Sequence, residues 1–127
     1  MNLAIIYWFS EKQNTVEDST FGSEYIAMRI TVEKVKALRY KLRMMKVPIK
    51  GAANIFADNE SVLRSFMNPE STLSKKHVSV AYHLNRTAFA ANIVNIFFIP
   101  SKEILADLLT KVLPCNIRRD LFKCIFW

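Results

Sequence analysis

Glycine and cysteine each occur only twice in this chain of 127 residues, and the acids number 11 against 18 lysines and arginines. Each shortage excludes something. Two glycines do not build a phosphate-cradling loop, and no Gly-rich motif or Ser/Cys nucleophile motif is present. With 51% hydrophobic residues the composition also departs from collagen-like, low-complexity and disordered chains. Cys115 and Cys124 are too few for a disulfide framework and too far apart for a redox or zinc-knuckle pair, which fits a reducing compartment. No long hydrophobic run occurs. The apolar start MNLAIIYWF is too short to cross a bilayer and lacks both a basic flank and a small-residue cleavage site. Neither membrane nor secretion is therefore expected. The scarcity of acids leaves a formal net charge of +7, which favours polyanionic partners such as nucleic acid.

A chain of this length suits one domain that buries roughly two-thirds of its unfolded surface. No internal repeat interrupts it. Ile5 to Phe9 supply strand formers, so residues 3–9 are expected as a buried strand followed by a polar loop. From Thr20 to Lys46 an apolar stripe recurs at helical spacing through Ala27, Met28, Thr31, Val35, Leu38, Leu42 and Met45, with Glu24 at its head. Thr20 is expected to cap this helix and Val47-Pro48 to stop it. Residues 52–57 read as a short central strand, residues 61–67 as a helix broken at Asn68-Pro69, and residues 75–92 as another helix. Residues 93–99 read as a second buried strand closed by Pro100. Ser101 is expected to cap a last helix over 102–113 that stops at Pro114, leaving an apolar tail. This alternation predicts an α/β architecture, a sheet covered by helices.

Three acids stand where a sheet enzyme would place them: Glu24 in the first turn of the long helix, Asp58 at the carboxyl end of a strand, and Asp107 in the last helix. Ligands of open α/β sheets bind outside the carboxyl ends of strands. Converging carboxylates raise one another's pKa unless a hard cation neutralises them. Magnesium fills that role in phosphodiester cleavage, often as two ions about 3.5–4 Å apart. Each acid also has an ordinary explanation. The helix macrodipole favours Glu24 by about 0.3–1 kcal/mol, Asp58 can N-cap the following helix, and Asp107 lies four residues from both Glu103 and Lys111 on a polar face. Spacing alone does not bring the three together.

His77 and His83, six apart on one expected helix, fall on different faces and do not form a metal pair. The basic run that includes Lys36, Arg39 and Arg43, interleaved with Tyr40, suits phosphate contacts, although charged helix faces are commonly just solvated.

Four segments then occur in order: WFSEKQNTVEDSTFGSEYIAM, FADNES, KKHVSVAYH and LADLLTKVLP. Together they resemble the ribonuclease H domain at the carboxyl end of the Pol polyprotein of copia-type retrotransposons. Members of that family read W-S-S-K-K-Q, then S-T-F-G-S-E-F or a close variant, C-D-N, K-H-I-x-x-x-Y-H and L-A-D-x-x-T-K. The resemblance runs from Trp8 to Pro114. It implies a ribonuclease H-like fold, a mixed sheet flanked by helices, and hydrolysis of the RNA strand of RNA–DNA hybrids during reverse transcription. Carried over motif by motif, Glu24, Asp58 and Asp107 become metal-binding catalytic acids for two Mg²⁺ ions. Independently of the motifs, Lys36, Arg39 and Arg43 of the basic run, with Asn59, are candidate nucleic-acid contacts. The two histidines fall in a motif given a structural role.

Departures from the family pattern matter too. Family domains begin with two strands, the first bearing a further metal-binding aspartate, and this chain begins after both. The expectation is a partial ribonuclease H-like domain over residues 1–114 lacking the first two strands, a carboxyl-terminal tail over 115–127, an incomplete two-metal site, and little or no nuclease activity. The alternative is a catalytically inactive nucleic-acid-binding module of the same fold. An upstream reverse transcriptase domain is the expected neighbour if the chain is part of a polyprotein, with a cytoplasmic or nuclear location.

Overall fold

The computed structural model describes residues 7–10, 20–67 and 79–126. These fall into two compact units, one of residues 20–67 and 79–98, the other of residues 7–10 and 99–126.

The first unit is built on helix α1, Thr20–Met44. No proline interrupts this stretch, and its apolar residues recur about every three to four positions. Tyr25, Met28 and Val32 are buried, whereas Ala27 and Thr31 are exposed, so the core stripe is rotated from the face expected. Larger side chains decide the rotation, because burying Tyr or Val removes more apolar area from water than burying Ala or Thr. Tyr25 packs on Phe21 and Tyr82, with ring centroids 5.5 and 6.0 Å away. Thr31 stays outside and returns its hydroxyl to the Ala27 carbonyl at 2.9 Å.

Helix α1 ends in a Schellman motif: the Val47 N–H donates to the Leu42 carbonyl at 3.0 Å and the Lys46 N–H to the Arg43 carbonyl at 2.9 Å. Lys46 adopts a left-handed φ of 59° there, a position that glycine fills more cheaply. Pro48 follows and prevents resumption, as expected from the sequence. Because α1 begins at Thr20 itself, Thr20 is the first helical residue, and the helix has no acid in its first turn. Glu24 therefore sits in the second turn, where the macrodipole contributes little.

Strand β1, Ala53–Ala57, leads through α2, Glu60–Met67, and α3, Ser79–Ala90, to strand β2, Val94–Phe98. The strands pair in parallel with Ile55 opposite Ile96 and Phe56 opposite Phe97. A parallel pair needs a long crossover, which α2 and α3 provide. Ile55, Val94 and Ile96 are buried with α1, α2 and α3 side chains in one core that also holds Val62, Ala81 and Ala88. The α/β architecture expected is thus present among the described residues as a two-stranded sheet with helices. Phe56 and Phe97 occupy the opposite face, exposed, with ring centroids 5.9 Å apart. Helix α3 repeats the Schellman ending, with Ile93 N–H to Ala88 carbonyl at 3.0 Å, Asn92 N–H to Phe89 carbonyl at 2.9 Å, and Asn92 at φ 53°.

In the second unit the expected helix over 102–113 is not continuous. A 3₁₀ turn covers Ser101–Glu103, Ile104 is extended, and α4 spans only Asp107–Thr110. Ser101 lies inside the turn, and neither piece has a side-chain cap, so nothing joins the two into one helix. The residues expected as a tail instead form α5, Cys115–Phe126. Pro114 accepts its opening bond from Arg118 N–H at 3.0 Å, and Leu121 is buried. The density of bulky residues at this end conceals a helical period through Ile117, Leu121 and Cys124. Of the first expected strand, residues 7–9 have no regular structure, and residues 3–6 lie outside the described residues. The break at Asn68-Pro69 and the helix start over 75–78 also lie outside them.

Candidate functional site

Asn59 organises the carboxyl end of β1. Its side-chain oxygen accepts the backbone N–H groups of Ser61 at 2.8 Å and Val62 at 3.3 Å, which makes it the N-cap of α2. Its amide nitrogen then faces away from the helix and donates to a carboxylate oxygen of Glu24. One side chain therefore uses its acceptor on α2 and its donor on α1, 35 positions earlier in the chain. Only one orientation of the amide satisfies both ends. The Glu24 carboxylate is half-buried and held by one oxygen; the other has no hydrogen-bond partner among the described residues.

Asp58 is the residue between β1 and this cap, and it is exposed. The structure thus places Glu24 against the residue next to Asp58, and it assigns the N-cap considered for Asp58 to Asn59. Asp107 belongs to the other unit, at the first position of α4. It is only 8% exposed, and Lys111 one turn on donates to its carboxylate at 2.9 Å. A buried carboxylate requires such a partner. Among the described residues no group of three or more His, Cys, Asp or Glu side chains is clustered as a metal site.

Behind Glu24 stand Tyr25 and α3. Burial pushes the Tyr25 phenol up to about 12, an effect opposed by the nearby Ser65 hydroxyl and Arg86 guanidinium. The phenol is consequently protonated and structural. Asn85, fully buried, donates to the Tyr25 backbone carbonyl at 3.4 Å, tying α3 to α1 at this level. His83 is exposed with its ring edge on Tyr82, which suits a structural role; His77 lies outside the described residues. Cys115 and Cys124 are both exposed and unbridged.

Lys36, Arg39 and Arg43, named from the sequence as nucleic-acid contacts, share one groove of about 340 Å³ with Tyr40 and with Ala91, Asn92 and Ile93 at the end of α3. Asn59, named with them, is engaged instead by α2 and Glu24. Two features escaped the sequence reading. The cap at Asn59 was visible in principle, since Asn followed by Glu-Ser-Val fits an N-cap before a helix. The participation of the α3 end in the groove had no local signal, because it depends on how α1 and α3 pack.

No protein-family profile matches this chain, and no solved structure matches it. Curated relatives do. The chain is 31% identical over 111 residues to the retrovirus-related Pol polyprotein from transposon TNT 1-94 of Nicotiana tabacum, covering 87% of this chain and 8% of that protein. It is 26% identical over 108 residues to the retrovirus-related Pol polyproteins from transposons RE2 and RE1 of Arabidopsis thaliana, covering 85% of this chain and 7% of each. The chain spans less than a tenth of the length of these relatives. It resembles, over most of its own length, one short region of retrotransposon Pol polyproteins.

Proposed function

We propose that this chain corresponds to the ribonuclease H-like region of a retrotransposon Pol polyprotein, and that its chemistry is hydrolysis of the RNA strand of RNA–DNA hybrids. The observation that carries this reading is the Glu24 carboxylate fastened by Asn59 at the carboxyl end of a parallel strand, beside Asp58. That is the edge at which open α/β sheets receive ligands. The same three residues fall within the STFGSEY and FADNES segments on which the family resemblance rests.

The donors fit a hard cation. Glu24 and Asp58 offer carboxylate oxygens, with no thiolate or imidazole beside them in sequence. Glu24 and Asp58 would hold magnesium, which when bound neutralises crowded negative charge and acidifies a water for attack on phosphorus. The chain's own residues supply positioning. Asn59 holds Glu24 in one place while leaving its second oxygen available, and because Asn59 is itself fixed by two α2 N–H groups, the carboxylate inherits the rigidity of the helix end.

Hybrid cleavage assayed with magnesium, for the chain alone and joined to the polyprotein sequence around it, tests the proposal. Glu24→Gln and Asp58→Asn are expected to lower the rate by at least about tenfold, with folding unchanged by circular dichroism. Full activity in both variants would overturn the assignment.

A further inference from the structure

We propose that the groove between the carboxyl-terminal half of α1 and the end of α3 binds single-stranded nucleic acid, with Lys36, Arg39 and Arg43 on phosphates and Tyr40 stacked on a base. This site goes beyond the hydrolysis reading and stands apart from it. Arg39 lies 15 residues after Glu24 on one helix, about 22 Å along the axis at 1.5 Å per residue.

The four side chains occur at i, i+3, i+4 and i+7 and therefore project from one face over about 10 Å. No acid lines the groove. The end of α3 contributes only about half a negative charge against three cations, and its Schellman bonds already engage part of it. The cations are not consumed internally. Lys36 and Arg43 have no ion-pair or hydrogen-bond partner among the described residues, and Arg39 gives one N–H to the Gly51 carbonyl at 2.6 Å, which braces it and leaves other donors. Elsewhere in the same unit, Arg29 and Arg64 are neutralised by Glu33 and Glu60 one turn away.

Tyr40 supplies the second element. It is 66% exposed between these cations, with no hydrogen bond or ring contact among the described residues. An exposed ring flanked by cations is the combination that binds single strands, whose bases are free to stack. The groove is about 340 Å³, and the three cations are spread over about 10 Å along α1, so phosphates on either side of a base stacked on Tyr40 come within their reach.

Fluorescence anisotropy of the full chain with short labelled single-stranded RNA or DNA tests this, against a duplex and an acidic peptide of similar charge. The single strand is expected to bind more tightly than either, with EDTA present, and log K is expected to fall with log salt at a slope of about −2 for three phosphate contacts. Tyr40→Ala is expected to weaken binding about tenfold, Tyr40→Phe to retain it, and Lys36→Gln or Arg43→Gln to reduce the slope by about 0.7 each. Arg64→Gln, which removes a cation already paired with Glu60 outside the groove, is expected to leave binding unchanged. Because binding is read in EDTA, where magnesium-dependent cleavage is off, loss of the hydrolysis reading and loss of this one give different results. Equal binding of duplex or acidic peptide, or undiminished binding by Tyr40→Ala with its thermal melt intact, would overturn the proposal.

Discussion

Helix α1 has two tyrosines fifteen residues apart that meet opposite fates. Tyr25 is 0% exposed and stacked between α1 and α3, while Tyr40 is 66% exposed near the end of the same helix. The surroundings differ accordingly. Around Tyr25 lie Phe21, Met28, Val32 and the aromatic side of α3, an apolar neighbourhood that rewards burial. Around Tyr40 lie Lys36, Arg39 and Arg43, whose desolvation would cost more than the ring could return. One continuous helix thus serves as a core element at its amino-terminal half and as a charged surface at its carboxyl-terminal half. A buried, stabilising half and an exposed, basic half are separated by position along a single rod.

The comparison breaks most visibly by truncating both rings. Tyr25→Ala is expected to cost about 3–5 kcal/mol, as large-to-small changes in filled cores do, whereas Tyr40→Ala should stay within about 0.5 kcal/mol. Urea titration of the two variants measures the difference. Near-equal destabilisation would mean that the carboxyl-terminal half is packed as firmly as the rest.

Alkaline titration sharpens the same contrast. The folded Tyr25 phenol titrates near 12 against 10.0 for an unperturbed tyrosine, so the unfolded chain releases that proton first. Its contribution to stability is fully present below pH 10 and is lost as pH rises toward 12. Tyr25→Phe is expected to abolish this component of the pH dependence, and Tyr40→Phe to leave it in place. Thermal melts across that window provide the check.

Asn59→Ala removes both the α2 cap and the Glu24 contact, at an expected cost of about 1 kcal/mol. Asn59→Asp keeps the cap and sets two carboxylates against each other, so it should be less stable at neutral pH than at acid pH relative to the parent. Denaturation at both pH values separates capping from the Glu24 contact. A modest effect of the opposite sign lies just past the groove, where Lys46→Gly should stabilise by about 0.5–1 kcal/mol by relieving the left-handed backbone. Single-strand binding should hardly change, since Lys46 does not line the groove.

Much of the first unit was legible from local signals. The extent of α1 followed from its period and from Pro48, and β1 and β2 were short apolar runs bounded by turns, within a residue or two of the strands observed. Legibility failed where local preferences were weak or mixed. Residues 101–113 carry a plausible helical pattern without a cap, and Ile104 goes extended. Residues 115–126 carry so many bulky side chains that their helical period was hidden. The candidate site divides in the same way. Glu24, Asp58 and Asp107 stood out by type and position, but the clamp from Asn59 to Glu24 joins residues 35 apart and has no local signature.

By itself the sequence determined the charge, the absence of a phosphate loop or disulfide framework, the helical run of α1 and the two short strands, because these depend on composition and on neighbours within a few residues. Tertiary structure alone decided which tyrosine is buried, which oxygen of Glu24 is held, and that the end of α3 closes a groove beside three cations. Those outcomes depend on burial and charge contributed by segments far apart in the chain, which no local periodicity encodes.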